Sequence, residues 1–193
     1  PPRSTLFPYT TLFRSLPGNR TAELVTKLRT IFPQFVPGDN VLKTSLNNIG
    51  AIFHPALTVL NAARIESTRG EFQFYMEGVT PSVARVLEAL DAERVAVAAA
   101  LGIRAMSARE WLYMAYDAPG KTLFEAMRNN PGYKGINAPS MVNHRYLWED
   151  VSMSLVPIAA LGKHLKVATP TIDNIIHLAS LMNQTDYWAE GRT

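Results

Sequence analysis

Residues 80–102 spell out one complete α-helix, and that helix constrains the rest of the chain. Thr80 is a residue type suited to the N-cap, and Pro81 follows at the first helical position, where its missing N–H is not needed. Val83, Leu87, Leu90, Arg94, Val97 and Leu101 recur on one face, and Gly102 stops the helix where a left-handed backbone is favoured. Asp91 and Glu93 read as its solvated face. A helix of this length with an apolar stripe must be covered by other elements.

The rest of the chain offers mostly helices. Thr169 and Pro170 repeat the Thr-Pro start before Ile172, Ile175, Ile176 and Ala179. Helical spacing also predicts helices over 54–65 (Pro55 in the first turn), 108–116, 123–129 and 146–165. Pro157 lies inside the last of these and predicts a kink near Met153, whose carbonyl loses its donor. The aromatic stretch EFQFYM at 71–76 is expected to be extended. Nearer the start, Thr21 is placed to cap an amphipathic run that ends at Phe32-Pro33, and residues 35–42 pass through Pro37 and Gly38 into an extended piece. That strand–helix–strand punctuation fits the last unit of a larger α/β domain. The expected fold is therefore mainly all-α, with 16–44 as the remnant of a Rossmann α/β domain and 45–193 as a helical domain. Residues 1–15 (PPRSTLFPYTTLFRS) show neither a helical nor a strand period. They resemble translated sequencing-adapter read-through, and the expectation is a non-native or disordered segment outside the fold.

Composition narrows the chemistry. The 193 residues are 47% hydrophobic and 18% charged, the balance of a globular domain with a real core. The net charge of +3 comes from scattered Lys and Arg, without basic runs interleaved with aromatics, so no nucleic-acid partner is expected. The chain has no cysteine, which excludes disulfides and thiolate chemistry and fits a cytoplasmic protein. No apolar run approaches the roughly 20 residues a membrane span requires. No His/carboxylate spacing suggests a metal site, and G-x-G-x-x-G and P-loop motifs are both missing.

Two constellations can carry chemistry. In NNIGAIFHP (47–55), two amides precede His54, which is expected at the mouth of a helix and can serve as an acid/base near neutral pH. The bland reading is a helix-boundary histidine that satisfies backbone groups. In NHRYLWED (143–150), Arg145 offers a bidentate fork for a carboxylate, while Glu149 and Asp150 sit early in a helix, where the dipole alone accounts for acids. Arg145 and Asp150 are five residues apart, about 140° around an ideal helix. They can face one point only if Arg145 precedes the helix, and that arrangement is expected.

Taken in order, NNIGAIFHP (47–55), FYMEGVTPSVARVLEALDAER (74–94), RYLWED (145–150), SLVPIAALGKHLKVATPTID (154–173) and DYWAEGRT (186–193) resemble the octopine/nopaline (opine) dehydrogenase family. The resemblance implies a Rossmann domain that binds NADH or NADPH, followed by an all-helical substrate domain similar to the C-terminal domain of 6-phosphogluconate dehydrogenase. It implies reductive condensation of an amino acid with a 2-oxo acid such as pyruvate, giving a secondary-amine dicarboxylate. On this likeness His54 matches the catalytic histidine, Asp150 the acid that orients it, and Arg145 an arginine serving substrate carboxylate or catalytic geometry. Asn48 and Glu149 are neighbours expected to help bind substrate. The glycine-rich turn that holds the dinucleotide is missing from these residues, so the chain alone is expected to be inactive. Two competing readings remain. One is a relative of the 6-phosphogluconate, ketopantoate or glycerol-3-phosphate dehydrogenase type, which a lysine acid/base would favour. The other is a non-catalytic helical interaction module, favoured if His54, Arg145 and Asp150 lie apart.

Overall fold

The computed structural model describes residues 11–38 and 40–193; the first ten residues of the segment expected to lie outside the fold are beyond that description. Two short strands, β1 (Thr11–Phe13) and β2 (Phe35–Pro37), pair in parallel around α1 (Thr21–Arg29). Residues 11–15 are thus placed within the fold: Phe13 meets Phe35 edge-on with ring centroids 6.1 Å apart, and Ser15 donates its N–H to Thr21 Oγ1 at 3.2 Å. Thr21 is accordingly not the N-cap; Arg20 takes that position and the Thr21 hydroxyl bonds backward.

After β2 the regular elements among the described residues are helices: α2 (Val41–Leu46), α3 (Gly50–Leu60), α4 (Ala62–Thr68), α5 (Pro81–Ala100), α6 (Ala108–Tyr116), α7 (Leu123–Asn129), a 3-10 turn (Pro131–Tyr133), α8 (Arg145–Trp148), a π-helical turn (Val151–Leu155), α9 (Val156–Leu165), α10 (Pro170–Asn183) and α11 (Tyr187–Glu190). The fold is mainly helical, as the spacing predicts. Helix α5 starts on the Thr80 hydroxyl, which accepts from Val83 N, and ends at Gly102 with φ +70°. The segment 71–76 is not a strand: it is a run of turns tied to the Pro/Gly loop by one antiparallel bridge, Gln73 to Asn137. Its value to the fold is aromatic, since Phe72, Phe74 and Tyr75 are all buried.

Helix α3 is the centre of the body. Ala51, Ile52, Phe53, Ala56, Leu57 and Val59 are all buried, so the helix is apolar nearly all round, as a core helix should be. It packs against α5, α8, α10 and the π turn. It also begins earlier than the sequence suggests. His54 lies in its second turn rather than at its mouth, and Pro55 lies inside it. The proline removes the N–H that would bond Ala51 O, a loss tolerated because the neighbouring helices clamp α3 on several sides.

The acids of α5 are not a solvated face. Asp91 is 5% exposed and Arg94 0%, and they pair at 2.6 Å. Asp91 also accepts Ala108 N at 2.6 Å, capping α6, while Arg94 donates to the carbonyls of Leu46 and Met106. Glu93 accepts Thr171 N at 2.8 Å and Ile172 N at 2.9 Å. It thereby satisfies the α10 N-terminus, which the Thr169 side chain leaves uncapped. Asp91 and Glu93, which read as a solvated face, are with the inward-facing Arg94 the joints between helices here.

Candidate active site

Asp150 reaches the site because the long helix expected over 146–165 is broken. Pro157 cannot donate to Met153 O, and the chain answers with a π turn before α9 instead of a simple kink. Asp150 is the residue just before that wide turn. Its Oδ2 lies 2.8 Å from His54 Nδ1, across 96 positions of sequence. Both side chains are mostly covered, with 25% exposure for His54 and 16% for Asp150. An ionised carboxylate only accepts, so the proton of neutral His54 sits on Nδ1 and Nε2 presents a lone pair.

The imidazole plane is fixed from its surroundings. Tyr146 stacks on it with centroids 4.1 Å apart and planes 16° apart, and Phe74 stacks behind Tyr146 at 5.5 Å. Gly50, one turn before His54, supplies the space on the helix surface: a Cβ there would sit 3.1 Å from His54 Cε1 and 3.4 Å from Nδ1. Burial raises the hydroxyl pKa of Tyr75 far above its ordinary value, and burial also raises that of Tyr146 against the opposing pull of Arg145. Both phenols therefore stay protonated and remain donors at neutral pH. Burial holds the His144 imidazole below its ordinary pKa, helped by the Arg145 and His54 charges. Its Nδ1 caps α8 by accepting from Tyr146 N at 3.4 Å, which requires the neutral form.

The expected trio is only partly assembled. His54 and Asp150 meet. Arg145 does not lie on the preceding loop; it is the first residue of α8, and its fork lies on Glu149, Nε to Oε2 at 2.9 Å and Nη2 to Oε1 at 3.2 Å. The pair is solvent-facing, and its helical i, i+4 spacing accounts for it. Glu149 holds the Arg145 pKa up, and Arg145 holds that of Glu149 down. Asn48 is exposed beside the dyad, with Oδ1 3.3 Å from the same Gly50 Cβ position that His54 crowds. Sequence reasoning missed Tyr146, Tyr75 and Gly50. Tyr146 stands inside RYLWED, but nothing in its spacing announces a ring stacked on a residue so distant in the chain. Among the described residues no group of three metal-binding side chains forms.

Gly50→Ala should therefore separate geometry from stability. Alanine favours a helix interior by about 1 kcal/mol over glycine and by less at this first helical position, yet its methyl must push the His54 ring by a few tenths of an ångström. The expected outcome is a melting temperature unchanged or raised, with the His54 imidazole resonances shifted in a long-range ¹H–¹⁵N spectrum. Unchanged resonances would show that Gly50 does not set the ring.

The helical frame that brings these two side chains together matches one known family. A family model described as NAD/NADP octopine/nopaline dehydrogenase, alpha-helical domain, matches residues 37–183, and the chain belongs to that family. The opine dehydrogenase of Arthrobacter sp. (strain 1C) is 44% identical over 181 residues, 94% of this chain and 50% of that protein. The vitopine synthase of Allorhizobium ampelinum is 25% identical over 89% of this chain and 48% of its own length. The chain thus spans about half the length of the curated relatives it matches. An octopine dehydrogenase structure with NADH and L-arginine has the same fold, with a TM-score of 0.67 at 21% identity over 83% of this chain and 45% of that one. Another, with NADH and agmatine, gives 0.65 at 22% identity over 81% and 45%.

Proposed function

We propose that residues 45–193 form the substrate-holding, acid/base half of an opine dehydrogenase, and that residues 16–44 end a nucleotide-binding domain. The observation that carries this reading is the 2.8 Å contact between His54 Nδ1 and Asp150 Oδ2. Two side chains 96 positions apart, one of them delivered by a broken helix, form an acid/base unit with Nε2 left for a substrate. Their meeting also favours an enzyme over a helical interaction module.

The reaction joins the α-amine of an amino acid to the carbonyl carbon of a 2-oxo acid. The carbinolamine oxygen must leave as water, and His54 in its imidazolium form is placed to give it the proton. Asp150 stabilises the positive ring while it waits, the same division of labour as in other His–carboxylate pairs. The phenols of Tyr75 and Tyr146, hydrogen-bonded to each other, keep their protons beside the ring and so cannot compete with His54 as a base. Arg145 can leave Glu149 for a substrate carboxylate, because an exposed pair exchanges partners at little cost. Asn48 and Glu149 stand close enough to hold polar ends of the substrates. NADH or NADPH would supply the hydride that reduces the imine. The residues in hand contain no glycine-rich cradle for its pyrophosphate, so the chain's own share is binding and proton transfer. We place the parent protein in the cytoplasm; no helix among the described residues is long and apolar enough to cross a membrane.

A domain exchange tests this. Residues 37–183 replace the matching segment of the Arthrobacter opine dehydrogenase, and NADH oxidation is followed with pyruvate and a panel of amino acids. The expected result is oxidation that requires both substrates together, and none from the 193-residue chain alone. A folded chimera that binds NADH yet is inert across the panel would overturn the assignment. Turnover by the 193-residue chain alone would overturn the claim that the dinucleotide is held elsewhere.

A further inference from the structure

Two histidines flank one phenol. The His54 imidazole stacks on Tyr146 at 4.1 Å, and the His144 imidazole meets the same ring edge-on at 4.5 Å, with planes 80° apart. The two are held in opposite states. His54 gives its Nδ1 proton to Asp150, whose charge also supports the imidazolium form. His144 uses its Nδ1 the other way, as the acceptor that caps α8 at Tyr146 N. Only a ring with a lone pair on Nδ1 can do that. A proton on His144 Nδ1 would set two N–H donors against each other across 3.4 Å, a repulsion in place of a bond. The charges that bear on His144 are Arg145 beside it and His54 on α3, and both are cations. The nearby acids are already engaged, Glu149 by Arg145 and Asp150 by His54. Of the elements packed most closely on α8, α3 carries no titratable residue except His54, and the π turn carries none.

We propose that His144 is a positioning residue for the dyad, and that protonating it releases Tyr146 from the His54 ring. Its consequence for chemistry rests on the opine dehydrogenase reading; the release itself does not. The neutral His144 ring bonds the backbone N–H of Tyr146, and that bond seats the phenol that fixes the His54 plane. Burial and the two cations hold the His144 pKa below its ordinary value. Above the ordinary histidine range the ring is neutral whether seated or released, and the proton plays no part. As pH falls below that range, the released stretch takes up a proton that the seated stretch refuses. The seated state then loses stability until the pH has passed the lowered pKa of His144. Acid thus acts on the two histidines in opposite senses. It charges His54, which Asp150 supports, and it charges His144, which nothing nearby supports.

The four histidines provide the test in the 193-residue chain itself. In long-range ¹H–¹⁵N spectra at mildly alkaline pH, neutral His144 should carry its proton on Nε2 and neutral His54 on Nδ1. His164 and His177 are exposed and give the ordinary titration for comparison. Nuclear Overhauser contacts between the Tyr146 and His54 rings report the stack. On acidification these contacts should be lost with the midpoint at which His144 titrates. His144→Asn puts an amide oxygen, a good N-cap acceptor that does not titrate, where Nδ1 stood. That variant should keep the contacts through the same acid range. His144→Ala has no acceptor and should weaken them at every pH. A stack that survives protonation of His144 would overturn the proposal, as would an asparagine variant that loses the contacts at the same pH as the unmodified chain. So would a neutral His144 with its proton on Nδ1, or one that takes up no proton until the whole fold melts. None of these readouts needs turnover. An inert domain-exchange chimera would sink the enzyme reading while leaving this pH response measured, and a stack indifferent to His144 would sink this inference while leaving the dyad untouched.

Discussion

His54→Ala in the domain-exchange chimera is expected to lower kcat by about 10²- to 10⁴-fold, the ordinary worth of a positioned general acid/base. KM for the 2-oxo acid should change far less, because the imidazole acts on an oxygen whose charge changes during reaction. Asp150→Asn should be nearly as damaging for a different reason. The amide can donate to Nδ1, which favours the tautomer with its proton on Nε2, and it no longer stabilises the imidazolium. Steady-state kinetics would show the loss, and ¹⁵N imidazole spectra would show the changed tautomer. If His54→Ala cost less than threefold in kcat, the dyad would be a structural contact only. Activity measured alongside a thermal melt keeps unfolding from being mistaken for lost chemistry.

Arg94→Ala is expected to destabilise the chain by about 3–5 kcal/mol, the usual cost of removing one partner of a buried ion pair. Arg94 is 0% exposed, and three acceptors depend on it: Asp91 and the carbonyls of Leu46 and Met106. Asp91 would keep its hydrogen bond to Ala108 N but lose its counter-charge. Urea titration would show a lower midpoint with the slope preserved. The pair Arg94→Met with Asp91→Asn should recover part of the loss, since no lone charge then stays buried. A single-substitution loss below 1 kcal/mol would mean that water reaches Asp91. Because Arg94 grips Leu46 at the end of α2, its loss should also loosen the start of α3, which carries Gly50 and His54.

Helical periodicity and end signals made the helices legible, because those features are local. Thr80, Pro81 and Gly102 act within a few residues of their own positions, and each acts as its chemistry suggests. What failed to show were the partners. Asp91 and Glu93 have the composition of a wet face, and only the arrival of α6 and α10, with Arg94 turned inward onto α2, makes them joints between helices. The early start of α3 was hidden by Pro55, which ordinarily marks a first turn. In the site, His54 and Asp150 stand out by residue type in their own segments, but their pairing rests on family likeness, since no spacing rule links residues on separate helices. Pro157 predicts a bend and not the π turn that forms, because the choice between those depends on what packs alongside.

All the later-chain support of His54 comes from one short stretch. Tyr146, stacked on the ring, and Asp150, bonded to it, lie four residues apart between the cap of α8 and the π turn. They cannot be withdrawn one at a time. If that stretch lifts from α3, the histidine loses its platform and its counter-ion together and becomes an ordinary solvated imidazole. On the proposed function, competence for proton transfer would thus be tied to a single latch rather than graded across many contacts, and whatever seats or unseats these six residues would switch the chemistry as a unit.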